Sequence, residues 1–241
     1  ILKNFIMNID EKKFNIAKQL HLSGKIKESQ KIYLDLSKIY KKNHILFYLI
    51  GTTFLQLKKF DEAINNFRTS IDLNSNFPEV YNNLGIAFAE KEKYSEALVK
   101  YNKAIRLKND YIDAYINRGV SLNKLEKFKD AISDFNFVIK TQPLNPKAYN
   151  NLGNVFKELK NYDEAINSYD KAININQNYL EAISNKANIL RLQKKYENSL
   201  IELNKIYNQN PEFHNLLQNI IENKMSIFDW ENFDNLAKLI K

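Results

Sequence analysis

PKAYNNLGNVFKELKNYDEAINSYDKAININQNY, residues 146–179, decides the fold. Tyr149, Leu152, Phe156 and Leu159 recur at helical spacing and give one apolar stripe; Ala165, Tyr169 and Ala172 give a second. Between the stripes lies Asn161-Tyr162-Asp163-Glu164, a turn in which Asp163 is expected to cap the second helix and Tyr162 to precede it as a staple. Asn145-Pro146 opens the segment as an N-cap followed by a helix-compatible proline. The small residues Gly153 and Ala165 let the two helices approach closely.

The same 34 residues recur outward from this stretch. Glycines stand at 51, 85, 119 and 153, alanines at 63, 97, 131 and 165, and aromatics at 67, 101, 135 and 169. Six windows follow: 10–43, 44–77, 78–111, 112–145, 146–179 and 180–213. They leave residues 1–9 as a lead-in and 214–241 as a partial repeat with a capping or linking helix. One helix pair cannot bury its apolar face alone, so stacked neighbours must share a continuous core. A 34-residue period with these residue types resembles the tetratricopeptide repeat. The resemblance implies an all-α fold: a right-handed superhelix of six helix pairs whose first helices line a concave groove.

The 241 residues are 44% hydrophobic and 27% charged, a globular composition. No stretch approaches the roughly 20 apolar residues that span a bilayer, and no signal peptide opens the chain. Neither a membrane nor a nucleic acid is an expected partner. The start at Ile1 suggests a piece of a longer protein. Absence of cysteine removes disulfides and thiolate chemistry, and fits a reducing, cytoplasmic location. The net charge of +8 is uneven, with +6 of it in residues 1–77, and reads as a lysine-rich solvated surface.

Catalysis is not expected of this segment. His21, His44 and His214 lie in different windows, too far apart along a stack to share a metal. Asp61-Glu62 and Asp163-Glu164 recur at second-helix starts, where acids offset the helix dipole. Every glycine and proline is used by the repeat, leaving none for a phosphate-cradling loop. No cofactor is expected.

The residue preceding the Leu-Gly pair should face the groove. That column reads Asn15, Leu49, Asn83, Asn117, Asn151, Asn185 and Asn219. With 35 Asn in the chain, chance fills one of the columns this densely in roughly 2 cases per 1,000. A carboxamide offers both donor and acceptor, as a peptide bond does. The column therefore predicts either amides bridging neighbouring repeats or a ladder that grips the backbone of an extended polypeptide. Asn154 and Asn188 lie one turn further along the wall, and Lys157 and Arg191 add charge.

An Asn before Leu-Gly or Leu-Ala also resembles the repeat region of protein O-GlcNAc transferases and their SPINDLY-like and bacterial relatives. The stretch His21–Ile26 with Tyr33, and His44 leading into Leu49-Ile50-Gly51, is similar to the opening of bacterial members. Phe228-Asp229-Trp230 resembles their join to the glycosyltransferase domain, with Phe228 where that family has Cys. The resemblance implies the substrate-recognition part of a glycosyltransferase. The alternative is a generic adaptor, with self-association open to either. Two other readings fail. A carboxylate clamp needs basic residues where Phe14, Tyr48, Asn82, Ile116 and Asn150 stand, and an RNA-reading solenoid needs charge where the best-formed repeats have least.

Overall fold

The structure, a computed structural model, describes the backbone of residues 2–209 and the side chains of residues 10–204. His214, Asn219 and the Asp229-Trp230 segment lie outside the described residues. Within them there are twelve helices and no strand. The chain divides into two compact units, Ile1–Glu126 and Lys127–Lys241.

In the first unit the helices are α1 (Leu2–Leu22), α2 (Ile26–Ile39), α3 (His44–Gln56), α4 (Phe60–Leu73), α5 (Pro78–Glu90), α6 (Tyr94–Leu107) and α7 (Ile112–Lys124). The second holds α8 (Phe128–Thr141), α9 (Pro146–Glu158), α10 (Tyr162–Ile175), α11 (Leu180–Leu192) and α12 (Tyr196–Gln209). First helices α3, α5, α7, α9 and α11 begin at 34-residue intervals, and so do the second helices from α2 to α12. Helix α1 starts at Leu2, so residues 2–9 continue the first helix and are not a separate lead-in.

Each helix packs on its sequence neighbour within its unit, and first helices also touch: α3 meets α5, α5 meets α7, and α9 meets α11. No comparable contact joins one second helix to the next among the described residues. Each unit therefore bends with its first helices on the inner side.

Volume complementarity closes each pair. A Cβ built on Gly51 would lie 2.6 Å from the ring of Phe67, on Gly85 2.5 Å from Tyr101, and on Gly153 2.5 Å from Tyr169. The rings are buried, and the missing methyl is the space they fill. In the first unit the core runs through Tyr33, Leu46 and Ile50 and through Phe67, Leu84, Tyr101 and Ala104. In the second it runs through Ala165, Tyr169, Ala172 and Ile189 and through Ile183, Ala187 and Leu203.

Two local expectations need correction. The second helix of the 146–179 repeat begins at Tyr162, one residue ahead of Asp163. Asn161 stands at the cap without a side-chain bond, so Asp163 and Glu164 lie in the first turn and act through the dipole alone. The turn between paired helices is also tighter than its sequence suggests. Gly24 sits there at φ +80°, and its counterparts Lys58, Glu92, Glu126, Lys160 and Lys194 all have φ between +58° and +60°. The left-handed residue lets the next amide fold back on the first helix, as Asn161 N–H donates to Phe156 O at 2.9 Å. Asn145 does cap α9, accepting from the Ala148 N–H at 3.1 Å.

Candidate functional site

The asparagine column lies on first helices, and its amide nitrogens are directed backward along the stack. Asn83 Nδ2 donates to Tyr48 Oη (3.3 Å) and Thr52 Oγ1 (3.4 Å). Asn117 Nδ2 donates to Asn82 Oδ1 at 3.0 Å. Asn185 Nδ2 donates to Asn150 Oδ1 and Asn154 Oδ1, both at 3.1 Å. The spacing repeats: all three amides reach the residue 35 places earlier, and Asn83 and Asn185 also reach the residue 31 places earlier.

The spacing also accounts for the column's one departure. For Leu49 those places hold Phe14 and Lys18, which have no acceptor, and an aliphatic side chain stands where an amide would be unpaired. Asn151 is 9% exposed, and its Nδ2 is buried without a hydrogen-bond partner.

The amides are thus not offered whole to a ligand, as a free ladder would offer them. At Asn83, Asn117 and Asn185 the nitrogens stitch neighbouring repeats. Their oxygens differ: Asn83 Oδ1 accepts from Asn82 Nδ2 at 3.3 Å, whereas the oxygens of half-buried Asn117 and Asn185 accept no bond among the described residues. Buried Asn150 ties the network to the next first helix, α11, by donating to Glu181 Oε1 at 2.8 Å. Asn154 Oδ1 accepts from Tyr169 Oη at 2.9 Å as well as from Asn185.

The remaining predicted residues stand apart from the stitching. Asn15 is exposed on α1 and Asn188 on α11. Asn188 Oδ1 accepts from Arg191 Nη2 at 3.2 Å. Half-buried Lys157 pairs with Glu158 at 3.1 Å. His21 bonds Gln56 at 2.8 Å, while His44 contacts Asn74 and stacks edge-on with Phe77.

Sequence reasoning missed the acceptors. Tyr48, Thr52, Asn82, Asn150 and Asn154 become visible only when the column is read together with the two columns before and after it. Tyrosine hydroxyls follow the same logic. Tyr169 bonds Asn154 and Tyr101 bonds Ser121, while Tyr33, fully buried, has a hydroxyl with no partner. Burial pushes the titration of all three upward. No group of acids or histidines able to hold a metal occurs among the described residues, and no described helix is long and apolar enough to cross a membrane.

Residues 146–179 match the family model described as tetratricopeptide repeat, and residues 51–92 and 86–125 match one described as TPR repeat. The fold is similar to that of PilW, a widely conserved type IV pilus biogenesis factor, with TM-score 0.78 and 17% identity over 87% of this chain and 97% of that one. A tetratricopeptide repeat protein from Parabacteroides merdae gives TM-score 0.77 and 16% identity over 96% and 91%. YrrB, a TPR protein with an unusual peptide-binding site, gives 0.56 and 19% over 77% and 96%. No curated protein sequence matches the chain.

Proposed function

We propose that this chain of tetratricopeptide repeats is a protein-interaction module that holds extended polypeptide along the wall its first helices form in each unit. One observation carries the reading. Asn185 is fixed by two donated bonds, and its oxygen, on a half-exposed surface, has no partner among the described residues. Asn117, in the other unit, is held by one such bond, to Asn82 Oδ1 at 3.0 Å. Such an oxygen can accept a peptide N–H whatever the side chain beside it. Each bond contributes about 0.5–1.5 kcal/mol net, so affinity needs several contacts and gains from acceptors already held in place. Exposed Asn188 supplies a further amide, and Lys157 and Arg191 add positive charge. YrrB shares the fold and is itself a peptide binder by its description.

Peptides selected from a random display library on the chain test this, with affinity read by calorimetry. Asn188→Ala combined with Arg191→Ala lies outside the stitching and should weaken a selected peptide about tenfold with an unchanged thermal melt. Failure to select any peptide, or affinities indifferent to every wall substitution, would refute the reading.

A narrower version makes the chain the substrate-holding part of a protein O-GlcNAc transferase-like enzyme. Its support is the asparagine column together with the Asp229-Trp230 segment. A generic adaptor without an attached enzyme fits the wall equally well. Transfer of N-acetylglucosamine to a bound peptide by the natural full-length protein separates the two.

A further inference from the structure

The inner wall of the first unit differs in chemistry from that of the second. Residues 1–126 carry 21 Lys and Arg against 14 Asp and Glu, a net charge of +7. Yet α3 contains no Asp, Glu, Lys or Arg in its thirteen residues, and α5 contains only Glu79 and Glu90. The most acidic and most apolar pair of inner helices thus sits inside a cationic unit.

Position by position, the two walls diverge. Where the second unit places Asn154, Lys157 and Arg191, the first has Ile86, Leu55 and Ala89. Leu55 and Ile86 are half-buried and pack on the unit's core while keeping part of their surface open. Glu79 is half-buried too, and no cation pairs with it among the described residues. By helical spacing it shares one face of α5 with Asn83 and Ile86, and Asn83 donates to Tyr48 Oη on α3 at 3.3 Å. Burial is the main cause that holds the phenols of Tyr48 and Tyr111 protonated to higher pH, and the negative charge of Glu79 adds a smaller contribution at each. A half-buried carboxylate that no cation pairs with among the described residues, on a helix face that also carries an aliphatic side chain, suits an alkylammonium or guanidinium whose stem lies on the apolar surface.

We infer that the α3–α5 wall selects a polypeptide segment in which Lys or Arg alternates with aliphatic side chains, the cation resting against Glu79 and the aliphatic groups on Leu55 and Ile86. The inference rests on the proposed function and specifies its partner. The cation and the aliphatic groups take turns at every second residue, because successive side chains of an extended segment point to opposite faces and only every second one meets this wall. Long-range repulsion from the unit's net charge is damped beyond about 8 Å at physiological salt, so the local carboxylate decides at contact.

Two fluorescein-labelled dodecapeptides test it on the whole chain by anisotropy. One carries Leu and Lys with Ser spacers, the other Leu and Glu in the same places. The Lys peptide should bind about tenfold more tightly, and Glu79→Gln should reduce that preference about fivefold. Glu158→Gln, on the second unit, should leave it unchanged. A Glu peptide bound as tightly as the Lys peptide would overturn the inference, as would a preference that survives Glu79→Gln. If display-selected peptides respond to Asn188 and Arg191 but not to Glu79, this inference alone fails. If no peptide binds at all, the proposed function fails with it.

Discussion

Asn185 reaches back 31 residues to donate its amide to Oδ1 of Asn154 at 3.1 Å. That oxygen also accepts the Tyr169 hydroxyl at 2.9 Å, so one carbonyl joins α9, α10 and α11. Asn154→Ala removes the shared acceptor and strands both donors, and should cost about 1–3 kcal/mol. Asn154→Asp keeps an oxygen in place for each donor and should retain more than half of the lost stability. Urea unfolding of the two variants beside wild type makes the comparison. Equal losses would show that the oxygen is not the joint.

Asn151 presents the opposite case, a buried amide nitrogen with nothing to donate to. Leucine branches at Cγ as asparagine does, though it is larger, and Leu49 already occupies this column in the second repeat. Asn151→Leu should therefore stabilise the chain by about 1–2 kcal/mol, read as a higher urea midpoint with the same slope. A lower midpoint would mean that Asn151 has a partner after all.

How much of this was legible beforehand depends on how local the cause is. Pairings such as Gly85 with Tyr101 could be read because a missing side chain and a large one recur sixteen residues apart. Helix starts could be read from the same period. The asparagine column was visible as a column, but whether it faces a ligand or a neighbour depends on residues 35 and 31 places earlier, in another repeat. The left-handed turn was hidden because only Gly24 advertises it. At Lys58, Glu92 and Lys160 the backbone geometry is imposed by packing of the helix pair, against local preference.

The aromatic column separates tyrosines that use their hydroxyl from one that does not. Tyr169→Phe deletes the bond to Asn154 and should cost about 0.5–1.5 kcal/mol. Tyr33→Phe removes a buried, unpartnered oxygen and should be neutral or stabilising, since Phe67 and Phe135 stand in the same column. Thermal melts of the two single variants settle the order. A larger loss for Tyr33→Phe would contradict the assignment.

Two glycine exchanges should move stability in opposite directions. Gly85→Ala drives a methyl into a fully buried Tyr101 ring and should cost about 1–3 kcal/mol by overpacking. Lys160→Gly relieves an L-residue held at φ +60° and should add up to about 1 kcal/mol, less what glycine gains in the unfolded chain. Circular dichroism melts of both variants check the signs.

Alkaline pH should unfold the protein by a route that can be read from its buried phenols. Burial raises Tyr101 and Tyr169 above their ordinary value of 10.0. Tyr179 is pushed up to about 12, by burial and then by Glu181. Lys186 also titrates above its ordinary 10.5: burial pulls it down, and the carboxylates of Asp170 (2.7 Å) and Glu202 (2.9 Å) more than offset that. In every case the folded state holds its proton more tightly than the unfolded one. Below about pH 10 both states are protonated and the contribution is constant. Above it the unfolded chain loses protons first, and stability falls as pH rises. Urea midpoints should be flat from pH 7 to 9.5 and drop steeply by pH 11, with a shallower drop in the Tyr101→Phe, Tyr169→Phe double variant. A drop of equal slope in that variant would assign the alkaline transition to other groups.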